Sequence, residues 1–338
     1  MFSLYLRWGF KSLPQEHMQI VAIFPMGKNR DGTWQGLNFT FYGLLVANAV
    51  VVATILFFTL MGSLGVPLTG SLAIVSTLFA VTLPMAKMLA GWIEKKGNTF
   101  TTGGASFTGM VIAPLAIFAT SYAIGQPLGF TVDLIPALAA LSISYLFGEG
   151  LGRLGCISFG CCYGRPLHES HPLLRKLFAN RNFIFSGATK KIAYAAGWEG
   201  MAVVPIQAIT AVFYLLAGLL SLYLFTRSFF LAAFLISQIA AQGWRYVSEF
   251  FRSDFRGGTK ISAYQLMGIA AIIYSVIVAV FSPAFKPYQI SILNGLLVLW
   301  GPASLIFLFI LWFVIVLYMG KSRVTGSVLA FFVHREKI

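Results

Sequence analysis

Eight long apolar runs with few charges, at 38–62, 68–92, 107–124, 130–151, 203–226, 228–250, 262–284 and 290–319, constrain this chain more than any other feature. A membrane helix needs about 20 mostly apolar residues, and each run is near or above that length. The predicted fold is therefore an all-α, polytopic integral membrane helix bundle of seven or eight spans. The last run carries Pro302, which leaves three forms open: one tilted helix, a kinked helix, or a short re-entrant hairpin. Composition agrees. Hydrophobic residues make up 58% and charged residues 10%, against about 25% charged in soluble domains. A water-soluble globule is excluded, and so is disorder, which needs low hydrophobicity.

The formal net charge of +14 invites a nucleic-acid reading. The basic residues, however, lie in short segments between apolar runs, as is normal beside membrane spans, so no nucleic-acid partner is expected. Three cysteines within 156–162 are too few for a disulfide scaffold. Arg7, Lys11, Pro14, Glu16 and His17 interrupt the N-terminus before a signal-peptide core forms.

The runs divide the chain into an N-terminal interfacial segment (1–37), a membrane bundle (38–284) and a C-terminal span or hairpin with a basic tail (285–338). The long connection 152–202, between spans four and five, reads as a small head. Its stretches HPLLRKLFANRNF and TKKIAYAAG predict a short amphipathic helix and a second turn. This is either a head lying on the membrane surface or a plain solvated loop. Arg7, Lys11, Lys28, Arg30, Lys95, Lys96, the head and the segment from Arg245 to Lys260 share one face of an alternating bundle. The positive-inside rule places that face in the cytoplasm.

Charges within spans are costly, so each is a candidate for function. Two clusters stand out. FGEGLGRLGCISFGCCYGRP carries Glu149 and Arg153 four residues apart, on one helix face. WRYVSEFFRSDFR carries Arg245, Glu249 and Arg252 on one helical stripe. Gln207 and Gln265 add polar groups near the starts of the fifth and seventh runs. The planar guanidinium fork suits phosphate, so facing arginines would hold a phospholipid headgroup. The alternative is that Glu149–Arg153 and Arg245–Glu249 are neutralising pairs that permit burial, with Arg252 snorkelling to the interface. Cys156, Cys161 and Cys162 read first as small packed hydrophobes. Beside an arginine they are also candidates to react, pair or accept a lipid group.

These motifs resemble the prolipoprotein diacylglyceryl transferase family. GRLGCISFGCCYG is similar to the family signature G-R-x-G-N-F-x-N-x-E-x-x-G. FYGLL around Tyr42, GGASFTGMVI, VPIQ and WRYVSEFFRSD follow in chain order, the last resembling R-F-x-x-E-F-x-R. Gln265 falls where the family has a Gln before its seventh span. The resemblance implies transfer of a diacylglyceryl group from phosphatidylglycerol to the lipobox cysteine thiol of a preprolipoprotein, in the bacterial cytoplasmic (inner) membrane. The partners it implies are phosphatidylglycerol, the preprolipoprotein signal peptide and membrane lipids. It implies no metal and no organic cofactor.

By the same resemblance, Arg153 and Arg245 hold the phosphate region, Glu249 orients Arg245, and Tyr42 contacts lipid or polarises a hydroxyl. Arg252, Gln207, Gln265, Glu149, Thr108 and Cys161 complete the lipid-binding set. The implied site faces outward, against the charge rule. The chain departs from the pattern where proton transfer is concerned. Thr108 stands where the family has a His, Cys156 where the motif has Asn, Cys161 where it has Glu, and Val204 where H-P-x-Q has His. A hydroxyl does not replace imidazole as a base near pH 7. Glu149, His168 and His171 are the substitutes the sequence offers. The rival readings are a catalytically altered relative that binds an anionic phospholipid for another acceptor, and a small-solute transporter with buried Arg/Glu pairs along a path.

Overall fold

The computed structural model describes residues 2–95, 101–254 and 261–337. Of the basic positions named above, Lys96 and Lys260 lie outside the described residues. In chain order the elements are α1 (Phe2–Ser12), β1 (Ile20–Lys28), β2 (Trp34–Thr40), α2 (Phe41–Ser63), α3 (Leu68–Glu94) and α4 (Thr102–Thr120). A π-turn at Ser121–Gly125 and the single turn α5 (Gln126–Leu128) continue α4. Then follow α6 (Leu134–Phe159), α7 (Pro172–Phe178), β3 (Phe183–Ile184), α8 (Lys191–Ala196), β4 (Ala202–Val203), α9 (Ile206–Thr226), α10 (Phe230–Ser248), α11 (Ala263–Phe281), α12 (Ile292–Leu299), α13 (Pro302–Gly320) and β5 (Lys321–Leu329).

Among the described residues, seven helices are long and apolar enough to cross a membrane: α2, α3, α4 with its continuation to Leu128, α6, α9, α11 and α13. The chain is a multi-pass membrane protein of the all-α class. Two runs differ from the sequence reading. The eighth divides into a short helix and one candidate span, α13. A two-turn helix, α12, ends at Leu299, and Pro302 opens α13 at its first position, where its missing N–H costs nothing. The sixth run forms α10, 19 residues long, but Gln238, Gln242 and Arg245 leave it outside the seven.

The contact pattern separates two units. The first comprises Met1–Asn48, Leu151–Ala208 and Ile310–Ile338. Here the all-α expectation needs an addition. β2 is the central strand of an antiparallel sheet of order β1-β2-β5. The hairpin turns at Asp31-Gly32, where Gly32 has φ 89°, and the Asp31 carboxylate accepts from the Thr33 amide and hydroxyl at 3.0 and 2.6 Å. Pro25 sits at a register shift, where a missing donor is tolerated. The stretch 172–178 is helical as expected, with Leu173 and Leu177 exposed beside Lys176. His171 caps that helix by accepting from the Leu173 amide, and His168 is exposed beside Glu169.

Within this unit Lys190 is fully buried. Its amine donates to Leu13 O at 3.1 Å and Ser158 O at 2.8 Å, tying the connection to the N-terminal segment and the end of α6. Burial lowers its pKa to about 8, with Glu16 opposing. The folded chain then binds fewer protons than the unfolded chain between the two values, so stability rises with pH from about 8 to about 10.4. The gain is at most about 3 kcal/mol. Neutral lysine keeps two N–H donors, so both bonds survive deprotonation. The apparent melting temperature in detergent is expected to rise across this window, and Lys190→Met to flatten the rise.

The second unit comprises Ala49–Gly150 and Ile209–Phe309. Its helices approach closely at small residues, as membrane helices do. A Cβ on Gly295 of α12 would lie 2.0 Å from Thr59 O of α2. Backbone cannot yield as a side chain can, so Gly295→Ala must push α12 off α2. The expected cost is about 1–3 kcal/mol, read as a lower melting temperature.

Candidate functional site

The second unit turns an ordinary membrane-helix pattern inside out. On α10, Gln238, Ala241, Gln242, Arg245 and Ser248 recur at spacings of three and four and are all buried. The two glutamines of that stripe donate to hydroxyls of neighbouring helices. Gln238 donates to Ser142 Oγ at 2.8 Å and Gln242 to Ser106 Oγ at 3.0 Å. Trp244 donates to Thr210 Oγ1 at 3.0 Å.

Arg245 ends the stripe. Its Nη2 donates to the Tyr145 hydroxyl and lies 3.8 Å from Glu149 Oε1. Tyr145 and Glu149 are four apart on α6, so one helix face presents both. Gly103, opening α4, makes room: a Cβ there would lie 3.1 Å from Arg245 Nη1. Thr108, also on α4, is buried. The carboxylate beside Arg245 is thus Glu149, while Glu249 lies 3.5 Å from Arg252 Nη1.

Arg252 is held differently. Nε and Nη2 donate to the two oxygens of Asp254, both at 2.8 Å, a bidentate clamp. Ser262 Oγ donates to Glu249 Oε2 at 3.3 Å. Ser262 and Gln265 form a reciprocal capping box at the start of α11, and Gln265 Nε2 donates to Tyr246 O at 3.2 Å. Gln265 therefore fixes the helix start against α10.

The first unit holds the other candidates. Arg153 is buried on α6. Tyr42 stacks obliquely on Phe159 with ring centroids 5.7 Å apart, and Gly155 lets the Tyr42 backbone and ring approach. Gln207, fully buried, donates to Cys161 O at 2.9 Å. The end of α6 decides where the cysteines go. Gly160 adopts φ 68°, Gly160 N donates to Ile157 O, and Cys161 N donates to Cys156 O at 3.0 Å. This is a Schellman cap, and it folds Cys161 back over Cys156. Cys162 follows at φ 56°, a left-handed conformation that costs a non-glycine residue about 1 kcal/mol. The three sulfurs lie within 4.8 Å of one another. Contacts with the Cys156 and Cys162 thiols, and burial, push the Cys161 thiol well above its usual pKa, so it is protonated at neutral pH.

A family model described as prolipoprotein diacylglyceryl transferase matches residues 33–281. The chain belongs to that family. No curated protein matches it. The family is one of transferases in lipoprotein biosynthesis, with lipid and lipoprotein substrates. All ten candidate residues, from Tyr42 to Gln265, fall within the matched segment, whereas α12, α13 and β5 follow it. Sequence reasoning missed Tyr145, Asp254 and Ser262, each a partner of a diacylglyceryl transferase candidate residue. Spacing alone reveals Tyr145 only through its place four residues before Glu149.

Proposed function

We propose that the chain transfers a diacylglyceryl group from phosphatidylglycerol to the lipobox cysteine thiol of a preprolipoprotein in the bacterial cytoplasmic membrane, from an outward-facing site. The sulfur attacks the glyceryl carbon. A C–S bond forms, the C–O bond breaks, and glycerol 1-phosphate leaves with the bonding electrons. The departing phosphate needs fixed positive charge, and the thiol needs a proton acceptor. Arg245 supplies the charge, and the family resemblance implies the same role for Arg153. Glu149 takes the proton in place of the imidazole that Thr108 replaces. Tyr145 orients the Arg245 guanidinium, and Tyr42 contacts the lipid. Gln207 holds the Cys161 backbone.

One observation carries the reading: the buried Arg245 guanidinium of α10 meets Tyr145 and Glu149 of α6, with Nη2 3.8 Å from Glu149 Oε1, inside the segment that the family model matches. Arg252 is instead clamped by Asp254 through two 2.8 Å bonds. The planar fork of Arg245 suits a phosphate, and the carboxylate and hydroxyl that α6 presents to it suit proton transfer and positioning. Arg252 and Glu249 accordingly position the α10–α11 corner.

Purified protein in detergent, given phosphatidylglycerol and a lipobox peptide, is expected to yield a diacylglyceryl-peptide thioether by mass spectrometry. Thr108 in place of the family's His favours one alternative, a relative that binds anionic phospholipid for another acceptor. No thioether, with phosphatidylglycerol binding that depends on Arg245, would establish it.

A further inference from the structure

We propose that Cys156, Cys161 and Cys162 form a binding site for one thiophilic metal ion of the zinc or copper(I) class. Three observations converge. First, the sulfurs are mutually within 4.8 Å. Zinc–sulfur bonds of about 2.3 Å place sulfurs roughly 3.8 Å apart in a tetrahedron and 4.0 Å apart in a trigonal site. Closure needs movement of less than about 1 Å, within the reach of a cysteine rotamer. A disulfide uses two sulfurs, whereas this arrangement gathers three.

Second, the backbone is built for the approach. The Schellman cap at Gly160 returns Cys161 to the last turn of α6, and left-handed Cys162 brings its own sulfur to the same point. Packing of small hydrophobes does not require a non-glycine residue at φ 56°. The Cys161 carbonyl is further fixed by the Gln207 amide. Rigid ligands of this kind lower the ordering cost of metal capture.

Third, the charges balance. Three thiolates and a divalent ion leave a net charge of −1, and Arg153 stands three residues before Cys156 on the same helix. Thiolate donors select zinc and copper(I) over magnesium and calcium. Among the described residues no fourth His, Cys, Asp or Glu joins the group. A three-ligand site with an open position is the pattern of a reactive rather than a closed structural zinc.

The test uses the full-length chain in detergent, reduced and stripped with chelator, without lipid or peptide. It is therefore independent of transferase activity. Titration with Cd²⁺ is expected to give a sulfur-to-metal charge-transfer band that saturates at one ion per chain. Zn²⁺ and Cu⁺ are then competed against the bound cadmium to rank the two sources. Cys156→Ser, Cys161→Ser and Cys162→Ser should each weaken binding at least about tenfold. X-ray absorption of the zinc-loaded wild type should show three sulfurs at about 2.3 Å, and this does not depend on variant folding. No saturable band, or fewer than three sulfur ligands, overturns the proposal. So does an as-purified mass two hydrogens light whose reduced form takes up no metal, which would make the cluster a disulfide.

Discussion

Replacing Arg245 by Met is expected to lower diacylglyceryl transfer by at least about a hundredfold, the scale seen when one preorganised donor to a developing negative charge is removed. The same change takes the Arg245 cation away from buried Glu149, at a cost of up to about 3–5 kcal/mol, so Arg245→Met alone confounds activity with stability. The pair Arg245→Met with Glu149→Gln removes both charges from a site where both side chains are almost inaccessible. Stability, followed by thermal unfolding in detergent, should return to near the wild-type value, because replacing a whole buried ion pair is often neutral. Activity should not return. Arg245→Lys keeps the charge but loses the planar fork and is expected to fall between. A pair variant that is stable and fully active would reduce Arg245 and Glu149 to a neutralising device and remove the basis of the proposed mechanism.

The spans were legible because lipid imposes a length and forbids exposed polar backbone. The family signature was legible because Arg245, Glu249 and Arg252 keep helical spacing. Other features were written in the chain yet outweighed by the membrane pattern. Asp31-Gly32 between β-branched stretches is a strong hairpin signal, but β5, which completes the sheet, lies nearly 300 residues away, and local periodicity carries no information about such pairing. Ser262-x-x-Gln265 is a capping box in plain form, a signal that stood beside the lipid-binding role that the family resemblance implies for Gln265. Partner choice was the least legible feature. Glu149 is spaced for Arg153 and Glu249 for Arg245, both at i,i+4, yet Glu149 also reaches to 3.8 Å from Arg245 on another helix and Glu249 to 3.5 Å from Arg252. Helical spacing states which groups share a face, and tertiary packing then selects among them.

The contrast between the two arginines makes a second large effect predictable. Arg252→Met should be among the most destabilising single changes in the chain, because one cation serves two carboxylates. Glu249 and Asp254 have side chains only 6% and 7% exposed, and both lose their contact with Arg252 at once. A cost of about 3–5 kcal/mol is expected for an uncompensated buried charge, with mutual repulsion added. Neutralising the clamp partner in the same chain, Arg252→Met with Asp254→Asn, should recover part of the loss. A double-mutant cycle should report coupling within about 0.5–3 kcal/mol, the range for residues in one network. The activity readout separates clamp from ligand. Both Arg252 fork donors used toward Asp254 are engaged, so turnover per folded molecule of the double variant should stay within about tenfold of wild type, against the hundredfold or greater loss at Arg245. If the double variant is stable but as inactive as the Arg245 variants, Arg252 must leave Asp254 during the reaction and touch the lipid itself, and the division of labour between the two guanidinium groups fails.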